Sequence, residues 1–274
     1  MAAVIDIVEV LVVHGDATAS LLVQMCGSLK ALLLAYRQTP CHVVLHVVVH
    51  DFPEAAVLGR ALADEVSSTA AAVQLKVTCV EPKSGDWSLS ALRNLGACLV
   101  PRPRLYVFRD PDLWVHPAYG AAMANALDTL QKQWFHPVVG MRVWQGSPAG
   151  VKAWSQASDH SLLVADACRD REDPRADVTN CIVAVRAEVF WAVQGFDEHG
   201  ETLSHKLGSA TGQGPCSPPP DFAHPLAFVS IRLPVASHTG EAATPATPAT
   251  PASHSLAALH LALWQESTLT NLFV

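Results

Sequence analysis

The stretch Leu105-Tyr-Val-Phe-Arg109-Asp110-Pro111-Asp112 joins a short apolar run to two carboxylates one residue apart. Leu105 to Phe108 predicts a buried strand, and in an open α/β sheet ligands collect beyond the carboxyl ends of the strands. Asp110 and Asp112 at such an end can hold a hard divalent cation, Mg²⁺ or Mn²⁺, against a diphosphate, because carboxylate oxygens suit these ions and phosphate supplies further ligands. Pro111 fixes its own φ and removes a donor, which stiffens the link between the two acids. A surface Asp-Pro-Asp turn has the same composition. The surroundings decide between the two readings.

Upstream, Val4 to Val13 reads as a first strand ending at His14-Gly15-Asp16. Thr18 or Ser20 can cap the helix that follows, its apolar residues recurring from Leu21 to Leu33 and on to about Tyr36. Val43 to Val49 is nearly all apolar, as a parallel strand covered on both faces should be. Pro53 opens a second helix through about Val66, Val73 to Val80 makes a third strand, and a loop and helix run from Gly85 to about Pro101. Downstream, Pro117 opens a helix to about Lys132, and Val138 to Val143 and Val178 to Val185 read as strands. Ala187 to Val193 is a short helix before the turn Gly195-Phe-Asp-Glu198, and Phe228 to Leu233 is a late strand leading to His238. Gly146 to Asp177 has scattered charge and a weak helical pattern, that of a loop-rich acceptor or lid segment. Gly208 to Pro220 is rich in Gly, Pro and Ser and reads as a mobile loop, and Ala242 to Ala252 repeats Ala-Thr-Pro as an extended linker. Alternating strand and helix predicts a doubly wound, mostly parallel α/β sheet with helices on both faces.

Of 274 residues, 50% are hydrophobic and 16% charged, so the chain can bury a sizeable core. Eighteen basic against 25 acidic side chains give a net charge of −7, which argues against a nucleic-acid partner held by bulk charge. An anionic nucleotide would need a metal or a local Arg or Lys. The seven cysteines show no C-x-x-C pair and no zinc spacing, and read as a reduced set. The amino terminus lacks the pattern of a signal peptide, and no apolar stretch reaches membrane-spanning length. The expectation is a chain soluble as given, with no integral membrane segment, either cytoplasmic or a fragment of a luminal enzyme.

Asp51, just past the second strand, stands where a nucleotide's base or ribose is read, and equally where an acid caps the helix after Pro53. Arg93, on the helix before the acid pair, can grip phosphate in a bidentate way or form a partly buried salt bridge. His42, His46 and His50 recur every fourth residue, but Val-Val-Leu and Val-Val-Val between them indicate a strand, on which the three are too far apart to share an ion. His238 can return to the acid pair as a metal ligand or be an ordinary loop histidine. Gly195-Phe-Asp-Glu-His-Gly-Glu-Thr202 gathers Asp197, Glu198 and Glu201, any of which can be a general base if it reaches an acceptor hydroxyl; a solvated acidic turn has the same look. The G-x-G-x-x-G, P-loop, G-x-S-x-G and H-E-x-x-H signatures are absent.

In order, these pieces resemble the GT-A class of nucleotide-sugar glycosyltransferases. Leu92-Arg-Asn-Leu-Gly-Ala97 is similar to that class's A-R-N-x-G helix, and Leu105 to Asp112 to the strand running into its D-x-D. Val178 to Phe190 followed by Gly195-Phe-Asp-Glu198 is similar to the stretch before its acceptor and base region. Trp87 to Leu113 and Leu233-Pro-Val-Ala-Ser-His238 resemble the β-glucuronyltransferase group that extends matriglycan-type chains, while family-2 and galactosyltransferase-type patterns fit almost as well. The resemblance implies a UDP-sugar donor, a glycan or other hydroxyl acceptor, and Mn²⁺ or Mg²⁺ on Asp110 and Asp112 with His238 as third protein ligand. The G-E-D of family 2 is Gly200-Glu-Thr202 here, so Glu201, Asp197 or Glu198 must stand in as base, or the protein is impaired. Two further readings stay open: a catalytically impaired nucleotide- or glycan-binding relative, and a metal-dependent nucleotidyltransferase. The expected organisation is a GT-A-like domain over 1–240, with a nucleotide-binding half to about 115 and an acceptor half from 116, then a linker over 241–253 and a helical tail over 254–274.

Overall fold

The computed structural model describes residues 4–14, 19–37, 39–50, 73–80, 87–111, 113–115, 118–129, 134–137, 140–144, 168–170, 182–197, 203–211, 227–230 and 271–273. Its centre is a parallel sheet of β1 (Ile7–His14), β2 (Val43–His50), β3 (Val73–Val80) and β4 (Leu105–Arg109), in the order β3-β2-β1-β4. Ile7 lies opposite both Val43 and Leu105, and His14 lies opposite His50. The carboxyl ends of β1 and β2 are therefore level. Beyond β4, β9 (Ile182–Arg186) pairs antiparallel, and β6 (Trp134–Phe135) pairs antiparallel with β9. At the other edge, β11 (Asn271–Phe273) runs antiparallel to β3. The α/β, mostly parallel architecture expected from the pattern is what the chain adopts.

Five helices are present among the described residues: α1 (Ala19–Tyr36), α2 (Leu89–Cys98), α3 (Tyr119–Thr129), α4 (Ala187–Ala192) and α5 (Leu203–Thr211). The central strands are largely apolar because both faces are covered, with Glu9, His46 and Arg109 as buried polar exceptions. Ile7, Leu11, Val43, Leu45 and Val47 share one cluster with residues of α1 and α3, including Leu29, Leu32, Tyr119 and Met123. Val8, Val10, Val44 and Val48 share another with Leu92 and Leu95 of α2 and Val189 and Phe190 of α4. A second sheet, in the order β5-β10-β7-β8, is built from β5 (Leu113–Trp114), β10 (Ala227–Ser230), β7 (Gly140–Trp144) and β8 (Cys168–Asp170). The two acids of the Asp-Pro-Asp stretch thus occupy the link between a strand of one sheet and a strand of the other.

Several expectations need correction. The first four residues of the stretch read as mobile loop, Gly208 to Thr211, belong to α5, whose Leu203 and Leu207 are buried in the second cluster. Part of the segment read as loop-rich, Cys168–Asp170, is a strand paired with β7. Within the stretch expected to be a helical tail, Asn271–Phe273 is a strand added to the sheet edge, and the helical spacing from Leu256 to Trp264 lies outside the described residues. The helix expected from Pro53 and the Ala-Thr-Pro repeat also lie outside them. No described helix is long and apolar enough to cross a membrane.

Candidate active site at the carboxyl edge of the sheet

Helix α2 begins at the carboxyl edge, with Ser88 in extended conformation accepting a hydrogen bond from the Ala91 amide at 3.0 Å as its N-cap. His14, the last residue of β1, donates from Nε2 to the Trp87 carbonyl at 3.2 Å, tying the start of the helix to the strand end. The His14 and His50 rings stand 5.0 Å apart between centroids. They line the same rim.

Three residues of α2, one helical turn, then do separate work. Arg93 Nη2 donates to Asp110 Oδ1 at 2.8 Å, and the pair is only partly buried. The same guanidinium lies over the Phe196 ring, 5.3 Å from its centroid, in cation–π range. Phe196 meets Phe108 of β4 edge-on at 4.7 Å, so one aromatic links the acid-bearing strand to the turn after α4. Asn94, fully buried, uses both ends of its amide on that turn: Nδ2 donates to the Phe196 carbonyl at 3.0 Å, and Oδ1 accepts from the Phe196 amide at 2.9 Å. Gly96 permits the helix to lie against the sheet, since a Cβ there would meet Val10 Cγ1 at 2.5 Å and Val48 Cγ2 at 3.0 Å.

The turn that Asn94 holds is itself well defined. Helix α4 ends with Gln194 and Gly195 at φ 61° and 69°. The Gly195 amide donates to the Phe190 carbonyl at 2.9 Å and the Gln194 amide to that of Trp191 at 3.1 Å, a Schellman termination. Gly195 is required twice over, because a side chain would be strained at this φ and its Cβ would lie 2.5 Å from Asn94 Oδ1. Lys206 of α5 donates to the Gly195 carbonyl at 2.9 Å. Asp197 follows directly on Phe196, so the residue before it is fixed from three sides.

Of the residues singled out from sequence, Arg93 and Asp110 are brought into contact, and Asp197 is carried by the turn that Arg93 and Asn94 hold. Asp51, Asp112, Glu198, Glu201 and His238 lie outside the described residues. Among the described residues no three His, Cys, Asp or Glu side chains converge on a metal position. Asp110, one third exposed and paired with Arg93, is the described carboxylate of the set, and its oxygens are of the kind that suits a hard divalent ion. His42, His46 and His50 hold no metal together: His46 is buried, its Nδ1 donating to the Gly96 carbonyl at 2.7 Å and its Nε2 accepting from Thr78 Oγ1 at 2.9 Å.

A second polar group was not anticipated. Glu9 and Arg109 are both completely buried on the α1 and α3 face of the sheet, Arg109 Nη1 3.6 Å from Glu9 Oε2. A charged residue inside each of two otherwise apolar strands, Ile7-Val-Glu-Val10 and Leu105-Tyr-Val-Phe-Arg109, was the available signal. The pairing itself depends on β1 and β4 being neighbours.

No protein-family model and no curated protein matches the chain. Among solved structures it is similar to residues 1–349 of S. aureus TarS in complex with UDP-GlcNAc, at 9% identity and a TM-score of 0.48 over 84% of this chain and 59% of that one. It is similar to the mannosyltransferase PcManGT from Pyrobaculum calidifontis in complex with GDP-Man and Mn²⁺, at 15% identity and 0.46 over 83% and 57%. It is similar also to GalNAc-T7 with UDP, GalNAc and Mn²⁺, at 10% identity and 0.49 over 87% and 46%. The chain spans about half the length of these structures. At such identities and scores they decide nothing about its chemistry.

Proposed function

We propose that the chain is a glycosyltransferase that moves a sugar from a nucleotide-diphosphate donor, a UDP-sugar, to a hydroxyl acceptor. The observation that carries this reading is the joint engagement of Asp110 and Phe196 by Arg93 at the carboxyl edge of the parallel strands. One helix thereby ties the acid that would face a diphosphate to the turn that would face an acceptor. Asp110, Asp112 and His238 would hold Mn²⁺ or Mg²⁺, and Asp51 would read the base or ribose. The ion, when bound, offsets negative charge on the departing diphosphate. Arg93, now paired with Asp110, would exchange that carboxylate for a phosphate oxygen of the donor while the ion takes up Asp110. Asp197, Glu198 or Glu201 would take the proton of the acceptor hydroxyl as its oxygen bonds the anomeric carbon. The bond from that carbon to the diphosphate breaks, and the electron pair leaves with the nucleotide.

The direction of β10 supports His238 as a ligand. Ser230 lies opposite Leu113 and Val229 opposite Trp114, so β10 runs toward the end of β5 at which Asp112 enters. A second reading, a relative that binds nucleotide without turnover, is favoured by one observation: Thr202 stands where the family-2 pattern has its basic Asp.

The test is calorimetric titration of the full chain with UDP and GDP, with and without Mn²⁺, for wild type and Asp112→Ala. Metal-dependent UDP binding that Asp112→Ala abolishes is the expected result, and hydrolysis of a UDP-sugar then separates the enzyme from the binding protein. Absence of nucleotide binding under every condition would overturn the donor site.

A further inference from the structure

The chain leaves β4 at Asp110 and re-enters a strand at Leu113, whose amide donates to the Asp110 carbonyl at 3.4 Å. The Leu113 carbonyl is gripped from the protein interior. It accepts from Arg109 Nη2, and from Ser28 Oγ of α1 at 2.5 Å. Arg109 Nη2 also reaches Ser28 Oγ at 3.3 Å, so the three groups touch one another. Arg109 and Ser28 are fully buried. Behind them, Glu9 Oε1 accepts from the hydroxyls of Tyr36 at 2.5 Å and Tyr119 at 2.8 Å, and Glu9 Oε2 faces Arg109 Nη1.

Shape acts with the hydrogen bonds. A Cβ on Gly27 would lie 2.1 Å from the Trp114 ring. Helix α1 therefore presents Gly27 to the Trp114 ring and Ser28 to the Leu113 carbonyl, and so docks both residues of β5. Burying a guanidinium and a carboxylate together is no cheaper than filling the space with apolar side chains. What an arginine adds is a planar fork with fixed directions, suited to holding a carbonyl and a counter-charge at once.

We propose that Arg109 and Ser28 are positioning residues that clamp the Leu113 carbonyl and so fix the turn beginning at Asp110 for metal–diphosphate binding. The purpose assigned to the clamp rests on the donor-site reading; the clamp itself rests on the contacts just described. Neither side chain touches substrate. Their effect is to hold the carboxylate-bearing turn in one place before the ligand arrives, which removes an ordering cost from binding.

Hydrogen exchange on the full chain tests the clamp without any ligand, using wild type, Ser28→Ala, Arg109→Lys and, as a control, Leu45→Ala. Leu45 is equally buried on the same face but lies on β2. All four are compared at a temperature where circular dichroism shows them folded. The Leu113 and Trp114 amides should exchange about tenfold faster in the two clamp variants, with β2 unchanged, whereas Leu45→Ala should loosen β2 and spare the turn. Protection of the turn equal to wild type in both clamp variants overturns the proposal. Titration with Mn²⁺ and UDP then tests the purpose: Ser28→Ala should weaken binding about fivefold, the loss of one hydrogen bond, while Leu45→Ala keeps wild-type affinity. Unchanged affinity in Ser28→Ala overturns the positioning role. A wild-type protein that binds no UDP with Mn²⁺ is a failure of the donor-site reading, and hydrogen exchange alone then decides the clamp.

Discussion

On the face of the sheet covered by α2 and α4, the groups that organise the carboxyl edge come from one helical turn: Arg93 to Asp110, Asn94 to Phe196 and Gly96 to the strands. On the face covered by α1 and α3, Glu9, Ser28, Arg109 and Tyr119 come from four separate elements and meet at one carbonyl and one carboxylate. Both arrangements end at the same short stretch, Arg109 to Leu113. The first uses neutral amide pairing and close packing, with its ion pair left at the rim. The second buries its ions. Under the proposed function, asymmetry of this kind would separate the surface that meets ligand from the frame that holds it. An ion pair at the rim can exchange partners, whereas one sealed in the core cannot.

Breaking the buried side should have the larger cost. In Glu9→Ala the Arg109 guanidinium keeps its burial and loses its counter-charge, an expected loss of about 3–5 kcal/mol in urea unfolding. Burial raises the Glu9 carboxyl above its ordinary value, while Arg109 first and then the two tyrosine hydroxyls pull it back. Burial beside Glu9 also keeps both tyrosines protonated, so they remain donors. The double variant Glu9→Leu with Arg109→Met should recover most of the lost stability, because two apolar side chains leave no orphaned charge. A double variant as unstable as Glu9→Ala would show that shape and not charge holds this face.

Asn94→Ala is the matching break on the other side. It removes two hydrogen bonds and leaves the Phe196 amide and carbonyl buried without that partner, an expected cost of about 2–3 kcal/mol in thermal unfolding. The loosening should concentrate at residues 193–197, seen as faster amide exchange there than in β1. A cost below about 0.5 kcal/mol would mean that the Schellman termination and Lys206 hold the turn unaided, and would remove Asn94 from the site's frame.

The two faces were also unequally readable. The spacing Arg93-Asn94-x-Gly96 lies within one helical turn, so its members share a neighbourhood whatever the tertiary fold, and a reader can assign them together. The continuous apolar strands were equally plain, because burial on both faces leaves no room for alternation. Glu9 and Arg109 could be noticed as charges in apolar runs, but nothing in 100 residues of separation says that they pair. Nothing in the sequence sets Ser28 apart from any other helical serine. Helix α5 was hidden for another reason: its carboxyl end runs into a Gly/Pro/Ser-rich stretch, and composition drew attention away from the buried Leu203 and Leu207. Strand β11 pairs with β3 across most of the chain, a contact that three residues of sequence cannot announce.

Titration sharpens the comparison further. His46 belongs to the α2 face and bridges that helix to β3 through Gly96 and Thr78, using both ring nitrogens in the neutral form. Burial, with Lys76 nearby, lowers its pKa from 6.5 to about 4, against the opposing pull of the Gly96 carbonyl. The folded state thus resists a proton that the unfolded chain accepts. Stability from this site is fully present above pH 6.5 and falls as pH drops toward 4, at up to about 1.4 kcal/mol per pH unit. Unfolding free energies of wild type and His46→Gln measured from pH 7 to pH 4 should converge as the pH falls, because glutamine carries no proton. Equal slopes in the two proteins would place the acid sensitivity elsewhere and leave His46 as a plain packing residue. Convergence would show that acid acts on the α2 face by putting a charge on the buried, neutral His46, in contrast to the opposite face, whose interior is built around the Glu9–Arg109 pair from the outset.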